Sequence, residues 1–237
     1  MARGTTLVRL LDLYRAECRL SLNPAHNAQA RDAQVSHLQR VQEWLWADHD
    51  WPLLRVERFI DVQQGQRYYA PPEDIPIDRI QKLEIRHDSD YVDMAPGIDQ
   101  VHFRAYDSDQ NEQEWPPRRW RVSEDEQIEL WPIPSANFEE GSLNGRIRVT
   151  GIRKLSRLVD DGDRADLDDR MLALYCAAEY LAGTGAKDAG FKLEQANKRF
   201  ATLRGQQAPR RKFSLFVDAP SDRVQRVPLA VYNKPGT

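Results

Sequence analysis

Hydrophobic positions follow two different periods along this chain. Over residues 5–20, Leu7, Leu10, Leu11, Tyr14 and Cys18 recur at i, i+3, i+4, i+7 and i+11, one stripe of a 3.6-residue helix. Asn23-Pro24 supplies an N-cap and a first-turn proline, which predicts a second helix running to about Asp48. Val35, Leu38, Val41 and Leu45 form its stripe, and Trp44, Trp46 and Trp51 thicken its end. The last third returns to this period. Met171, Leu174, Tyr175, Ala178, Leu181 and Ala182 sit at offsets 0, 3, 4, 7, 10 and 11. Gly183-Thr184-Gly185 interrupts that helix, and Ala189, Leu193, Ala196, Phe200 and Leu203 form a fourth stripe expected to stop at Gly205.

Between these helices the period falls to two. Leu54, Val56, Ile60 and Val62 fall on one face of a strand. Gln63-Gln64-Gly65-Gln66 reads as a turn, with Gly65 able to take positive φ. Tyr68 and Tyr69 begin a return strand that Pro71-Pro72 end, so the segment predicts a hairpin. Leu83 and Ile85 alternate with Lys82, Glu84 and Arg86, and Trp120 and Val122 with Arg119 and Arg121. Ile128 and Leu130 alternate with Gln127 and Glu129, and Ile147 and Val149 with Arg146 and Arg148. These segments predict a half-exposed, mostly antiparallel sheet or small sandwich. A short helix is expected within residues 97–106 and a loop over residues 107–117. The fold class is α+β: a four-helix bundle formed by the N- and C-terminal halves, an inserted antiparallel β domain and an extended C-terminal tail. The expected divisions are residues 1–50 and 159–206 for the bundle helices, 51–158 for the β-rich insertion and 207–237 for the tail.

Charge adds one feature to this picture. The net charge is −3, yet residues 209–237 carry +4, which leaves −7 on the rest. The tail opens with Arg210, Arg211 and Lys212, followed by Phe213, Leu215, Phe216 and Val217. Phe213, Leu215 and Val217 alternate as in a strand, with too little apolar content for a core of their own, so this segment is expected to dock on a partner with an acidic surface. No apolar run approaches the ~20 residues of a membrane helix. The stretch near the N-terminus, interrupted by Arg9 and Asp12, has no small-residue cleavage site after it, so a protein staying in the cytoplasm is expected.

The residues do not assemble into a known catalytic pattern. Asp160, Asp161, Asp163, Asp166, Asp168 and Asp169 form the best candidate for a cation site, but calcium-loop spacing is absent, and capping of the next helix is the simpler expectation. His26, His37, His49, His87 and His102 share no ligand spacing and are read as surface or cap residues. Cys18 and Cys176 are read as small buried thiols, with a bridge open to them if their helices pack together. No phosphate loop, dinucleotide glycine pattern or nucleophile elbow occurs. Trp115, Trp120 and Trp131, with arginines nearby, have a composition suited to stacking sugars or bases, and equally to core packing. No catalytic residue, cofactor or metal is therefore expected. The alternative is a tail-associated cell-wall glycan hydrolase or carbohydrate-binding tail component, relying on close carboxylates or on these tryptophans.

Several motifs in order resemble the head-to-tail adaptor (connector) proteins of tailed bacteriophages. A helix ends in Asp50-Trp51; a strand and turn follow in which Gly65, Gln66, Tyr69 and Pro72 fit Gly-Gln-x-x-Tyr-x-x-Pro. Leu130, Pro132 and Pro134 then fit a Leu-x-Pro-x-Pro strand end, and an acidic stretch leads into a helical C-terminal half. The resemblance covers roughly residues 5–205. It implies a structural virion protein: identical subunits, usually twelve, in a ring beneath the portal protein, joining the capsid to a downstream tail protein or nozzle. It places the ring's lumen on the DNA exit path, where the charge of an acidic body is expected to let DNA pass without specific binding; no membrane is expected to be involved, and the ring is expected to assemble in the host cytoplasm. The resemblance makes the portal the first partner for the segment Arg210–Val217, and an adjacent subunit the second.

Overall fold

A computed structural model describes residues 3–207 of the chain. These residues divide into two compact units. Residues up to Leu54 join residues from Lys154 onward, and Arg55–Arg153 form the other. The β-rich segment is thus narrower at both ends than residues 51–158. Trp51 explains one boundary: it is fully buried, its indole Nε1 donates to Leu45 O at 2.9 Å, and its ring meets Phe200 with centroids 5.8 Å apart. At the other boundary, Leu158 is buried and its backbone N donates to Gln39 Oε1 at 3.2 Å.

The first unit holds helices α1 (Leu7–Glu17) and α2 (Arg31–Asp48) from one half of the chain, and α4 (Asp169–Gly183) and α5 (Ala189–Gln207) from the other. Helix α4 contacts each of the other three. The reason is its composition. Besides the expected stripe, Leu172, Ala173, Cys176 and Ala177 are buried, and a helix that is apolar almost all round must be covered on most sides. Ala182, expected within the stripe, is exposed. The second helix does not begin at Pro24. Asn23 Oδ1 accepts from Ala25 N at 3.0 Å, but Pro24–Ala30 forms a 3-10 helix and α2 starts only at Arg31. Those residues carry no apolar stripe that would hold an α-helical turn against a core. Helix α5 runs through Gly205 to Gln207 rather than stopping there. Cys18 and Cys176 are both buried and free. Burial pushes the Cys18 thiol up to about 12 and raises the Cys176 thiol as well, so neither is a ready nucleophile.

The second unit is built from strands. Strands β1 (Arg55–Asp61), β3 (Ile80–His87), β4 (Asp90–Asp93) and β10 (Arg146–Ile152) form a sheet in the order β1-β10-β3-β4. Strands β2 (Tyr68–Tyr69), β5 (Ala95–Pro96), β7 (Arg119–Val122) and β8 (Ile128–Trp131) form another in the order β2-β8-β7-β5. Strands β6 (Gln113–Glu114) and β9 (Ile133–Pro134) pair in parallel, as do β5 and β7; the other pairings are antiparallel. The short helix α3 (Gln100–Phe103) lies within the expected span and carries an Asp99–His102 capping box. Leu83, Ile85, Ile128, Leu130, Ile147 and Val149 from the two four-stranded sheets enter one core.

The expected hairpin does not form. The turn is present, with Gly65 at φ +75° and Gln66 N donating to Gln63 O at 3.2 Å. Yet β1 pairs along its whole length with β10, and β2 pairs with β8. The turn therefore carries the chain from one sheet to the other. Tyr69 fixes the crossing: its ring is buried in the shared core, and its hydroxyl accepts from Gln63 N and donates to Gln63 O, each at 3.1 Å. The half-exposed alternation also fails at Glu129, which is 1% exposed. Arg67 and Arg121 reach its two oxygens at 2.8 and 2.5 Å, so the buried carboxylate is doubly paired.

Gly151 marks the tightest packing in the unit. It sits at a register shift between β10 and β3, and a Cβ there would lie 2.7 Å from both Arg79 O and Ile75 Cγ2. Gly151→Ala is expected to lower stability by about 1–3 kcal/mol. Gly141→Ala, where a Cβ meets nothing within 4 Å, is expected to stay within about 0.5 kcal/mol of the unmodified protein. Denaturant unfolding of the two variants compares them directly, and equal midpoints would refute the close approach.

Candidate interaction site

The acidic stretch is used up in shaping the helical unit. Asp168 is the N-cap of α4, its Oδ1 accepting from Met171 N at 3.0 Å. Arg199 of α5 forks onto the same buried carboxylate at 3.1 and 2.6 Å, which ties α5 to the start of α4. Asp169 accepts from Thr5 N at 3.2 Å, and burial raises its carboxyl above the usual range. Asp163 accepts from Val159 N and Asp160 N, both at 2.7 Å, and these two donors lower its carboxyl. Asp166 accepts from Ser156 N at 2.5 Å, and Asp161 pairs with Arg31. Among the described residues, no group of three or more His, Cys, Asp or Glu is arranged to hold a metal ion.

An apolar groove of about 560 Å³ opens between α2, α4 and α5. Trp44 and Val41 wall it from α2, Tyr175 and Ala178 floor it from α4, and Leu193 closes it from α5. The rings of Trp44 and Tyr175 meet edge to face with centroids 5.5 Å apart, and the Tyr175 hydroxyl donates to Asn197 Oδ1 at 2.8 Å. At the rim, Glu179 accepts from Arg40 at 2.5 Å and faces His37 Nε2 at 2.9 Å. An ionised carboxylate only accepts, so Nε2 donates to it, and Nδ1 lies 3.0 Å from the Tyr14 hydroxyl. The groove keeps large apolar surface in solvent: Trp44 is 52% exposed and Leu193 45%. Leu193 was expected in the buried stripe of α5. Only Ala196 and Leu203 of that stripe are buried; Ala189 and Leu193 line the groove instead.

The β-rich unit presents a different surface. On the sheet β1-β10-β3-β4, Arg148 lies 4.1 Å from the centroid of the Tyr91 ring and pairs with Glu84 at 2.7 Å. Arg146 lies over Phe138 at 4.7 Å and Phe59 at 5.7 Å. Cationic and aromatic groups stack into one continuous face. The tryptophans considered for sugar stacking are turned inward. Trp131 is buried and donates through Nε1 to Tyr106 O at 3.0 Å. Trp115 donates to His87 Nδ1 at 3.2 Å, and both Trp115 and Trp120 pack against the core.

The docking residues expected from the sequence, Arg210, Arg211, Lys212, Phe213, Leu215, Phe216 and Val217, lie outside the described residues. The groove is what sequence reading missed. Trp44, placed one position before the buried Leu45 of the α2 stripe, was the available signal. A family model described as SU10 adaptor protein matches residues 7–222. No curated protein matches the chain.

Two outcomes test the helical framework. Arg199→Met removes the partner of a buried carboxylate and is expected to cost about 3 kcal/mol, of which Asp168→Asn in the same chain should restore part. Equal unfolding midpoints for Arg199→Met and the unmodified protein would refute the tie. For Asp163, the lowered folded carboxyl means its contribution is present above the unfolded value of 3.8 and is lost as pH falls through the folded one. Asp163→Asn should therefore flatten the fall in melting temperature below pH about 4.

Proposed function

The chain belongs to the SU10 adaptor protein family, a family of phage head-to-tail adaptors, and from that premise we propose that it forms a ring beneath the portal and joins capsid to tail in the virion. The family match over residues 7–222 carries the reading. Residue composition supports it in two ways. The described polar clusters serve folding rather than chemistry, the acidic stretch being spent on caps and ion pairs. Large apolar surface stands open on the helical unit, as a subunit that must bind neighbours requires.

In this reading α1, α2, α4 and α5 act together as a four-helix bundle, Arg55–Arg153 is the inserted β domain, and residues 207–237 are the docking tail. Subunits, twelve by analogy with the family's rings, join head to tail, so each presents two different complementary patches. The basic tail engages the portal, and a downstream tail protein or nozzle binds the opposite rim. With −7 outside residues 209–237, the body repels the DNA backbone, so the genome passes the lumen without being gripped. Ejection then proceeds through a neutral or acidic channel. Among the described residues no helix is long and apolar enough to cross a membrane, and the reading requires none.

Negative-stain electron microscopy of the purified chain with and without its portal tests the reading, with portal-dependent rings the expected result. Particles that never ring on the portal would overturn it. Deleting residues 208–237 is expected to keep the chain folded, because the four described helices of this unit lie within residues 7–207, and to abolish portal binding. Changing Arg210, Arg211 and Lys212 to Glu should weaken that step, and the unmodified interaction should weaken with salt.

A further inference from the structure

We propose that the two open edges of the sheet β1-β10-β3-β4 pair with each other between copies of this chain, β1 of one subunit lying antiparallel against β4 of the next. The inference rests on the ring reading above and names the contact that propagates the ring.

Strands β1 and β4 are the two ends of this sheet, and among the described residues no further strand pairs with either edge. Every pairing within the sheet is antiparallel, so β1 and β4 run in opposite directions. A β4 set beside the β1 of another copy therefore continues the same alternation from subunit to subunit. An unpaired strand edge is a template for another strand, and two different edges meeting head to tail make the heterologous contact a ring needs. The backbone phase agrees. Val62 N donates to Gly145 O, and Met94 N to Leu83 O. Bonding direction alternates along a strand, so the N–H and C=O groups of Arg55, Glu57 and Phe59, and of Tyr91 and Asp93, point outward across the two edges.

Side chains select one register. Val56 and Ile60 pack against the core and Val92 lies opposite Ile85, so even-numbered residues of both strands share the core-side face and odd-numbered ones the other. Placing Glu57 opposite Tyr91 of the next subunit sets Arg55 against Asp93, Val56 against Val92 and Arg58 against Asp90. Those rows hold two pairs of opposite charge and one apolar pair. Shifting by two residues one way sets Glu57 against Asp93 and Ile60 against Asp90; the other way sets Val56 against Asp90 and Arg55 against Tyr91. Among the described residues, Arg55 and Asp90 have no ion-pair partner in their own subunit. Val92 at 45% and Phe59 at 54% exposure leave apolar surface at the two edges; pairing covers Val92 with Val56 and brings Phe59 diagonal to Tyr91. Asp74 holds Nε and Nη2 of Arg58 at 3.1 and 2.5 Å, while Nη1 donates to Glu57 O at 2.8 Å. On pairing, Tyr91 N takes over that carbonyl and Nη1 turns to Asp90. Lys82 holds Asp93 through Oδ1 at 2.7 Å, which leaves Oδ2 for Arg55.

In this register Val56 and Val92 form a non-hydrogen-bonded row with Cα atoms ~4.5 Å apart, a span that a disulfide bridges. The full chain carrying Val56→Cys and Val92→Cys, oxidised with and without portals, is expected to give a ladder of linked subunits beyond dimers on non-reducing gels. Cys18 and Cys176 are buried, so the ladder reports the new pair. Val56→Cys with Asp90→Cys, two residues out of register, is expected to link at least tenfold less. Dimers alone would mean that each edge pairs with its own kind and would overturn the proposal. A second variant keeps the apolar row intact: Arg55→Asp is expected to raise the subunit concentration for half-maximal ring formation at least tenfold, and Arg55→Asp with Asp93→Arg to restore it. Unchanged assembly of Arg55→Asp would overturn the proposal. Portal-dependent rings without a ladder would sink this inference and leave the adaptor reading standing. A ladder from a chain that never rings on portals would support the edge contact and sink the adaptor reading, and neither ladder nor rings would sink both.

Discussion

A helix that is apolar on nearly every side has to be wrapped, and α4 is such a helix. Met171, Leu172, Leu174, Cys176 and Ala177 are all buried, although no single stripe contains them. Its two chain halves arrive from either side of the β insertion: α1 and α2 precede it in sequence, and α5 follows. Burying α4 therefore forces residues more than a hundred positions apart into one unit. The buried Asp168 carboxylate enforces the same closure at the helix start, since it caps α4 and receives Arg199 from α5. Removing either relation leaves apolar surface or an uncompensated charge, both more costly than a typical surface change.

This arrangement has a consequence for binding. Helix α4 is short relative to α5, and Arg199 holds α5 near the α4 N-terminus. The early part of α5 runs beside the second half of α4, and Phe191 and Leu193 there stand exposed. The groove is the space between that segment, α2 and α4. The same helices thus supply both a buried core and an exposed apolar groove. The surface is apolar where it is floored by α4 and charged at its rim, the usual anatomy of a specific protein contact.

The β-rich unit solves a different problem. Its two four-stranded sheets share one core, and the chain must pass between them without leaving buried backbone groups unpaired. Around Gly65 this is done by side chains and loops. Tyr69 hydroxyl serves Gln63, Asn137 Oδ1 accepts from Gln64 N at 2.8 Å, and Pro134 O accepts from Gly65 N at 2.9 Å. The Gly-Gln-x-x-Tyr pattern is thus a device for changing sheets. The Leu-x-Pro-x-Pro end of the facing strand contributes the carbonyl that receives it.

Periodicity alone was enough to locate α1, α4, α5 and strands β1, β3, β7, β8 and β10, because each turns a regularly spaced apolar set toward a core, even where α4 and β8 are buried on other sides as well. It also placed the positive-φ glycine of the turn and the capping role of the aspartates, which are local chemistry. What periodicity could not record is the identity of the partner. Tyr68–Tyr69 reads the same whether it returns along β1 or joins β8, since strand pairing is a choice among edges distant in sequence. Glu129 alternates like an exposed residue, and only Arg67 and Arg121 arriving from other segments make it a buried one. Leu193 lies on a faultless stripe, yet it faces the open groove and stays 45% exposed. Element, face and cap are written in local spacing; pairing, burial of charge and the open groove depend on contacts between distant segments, and only the folded chain brings those together.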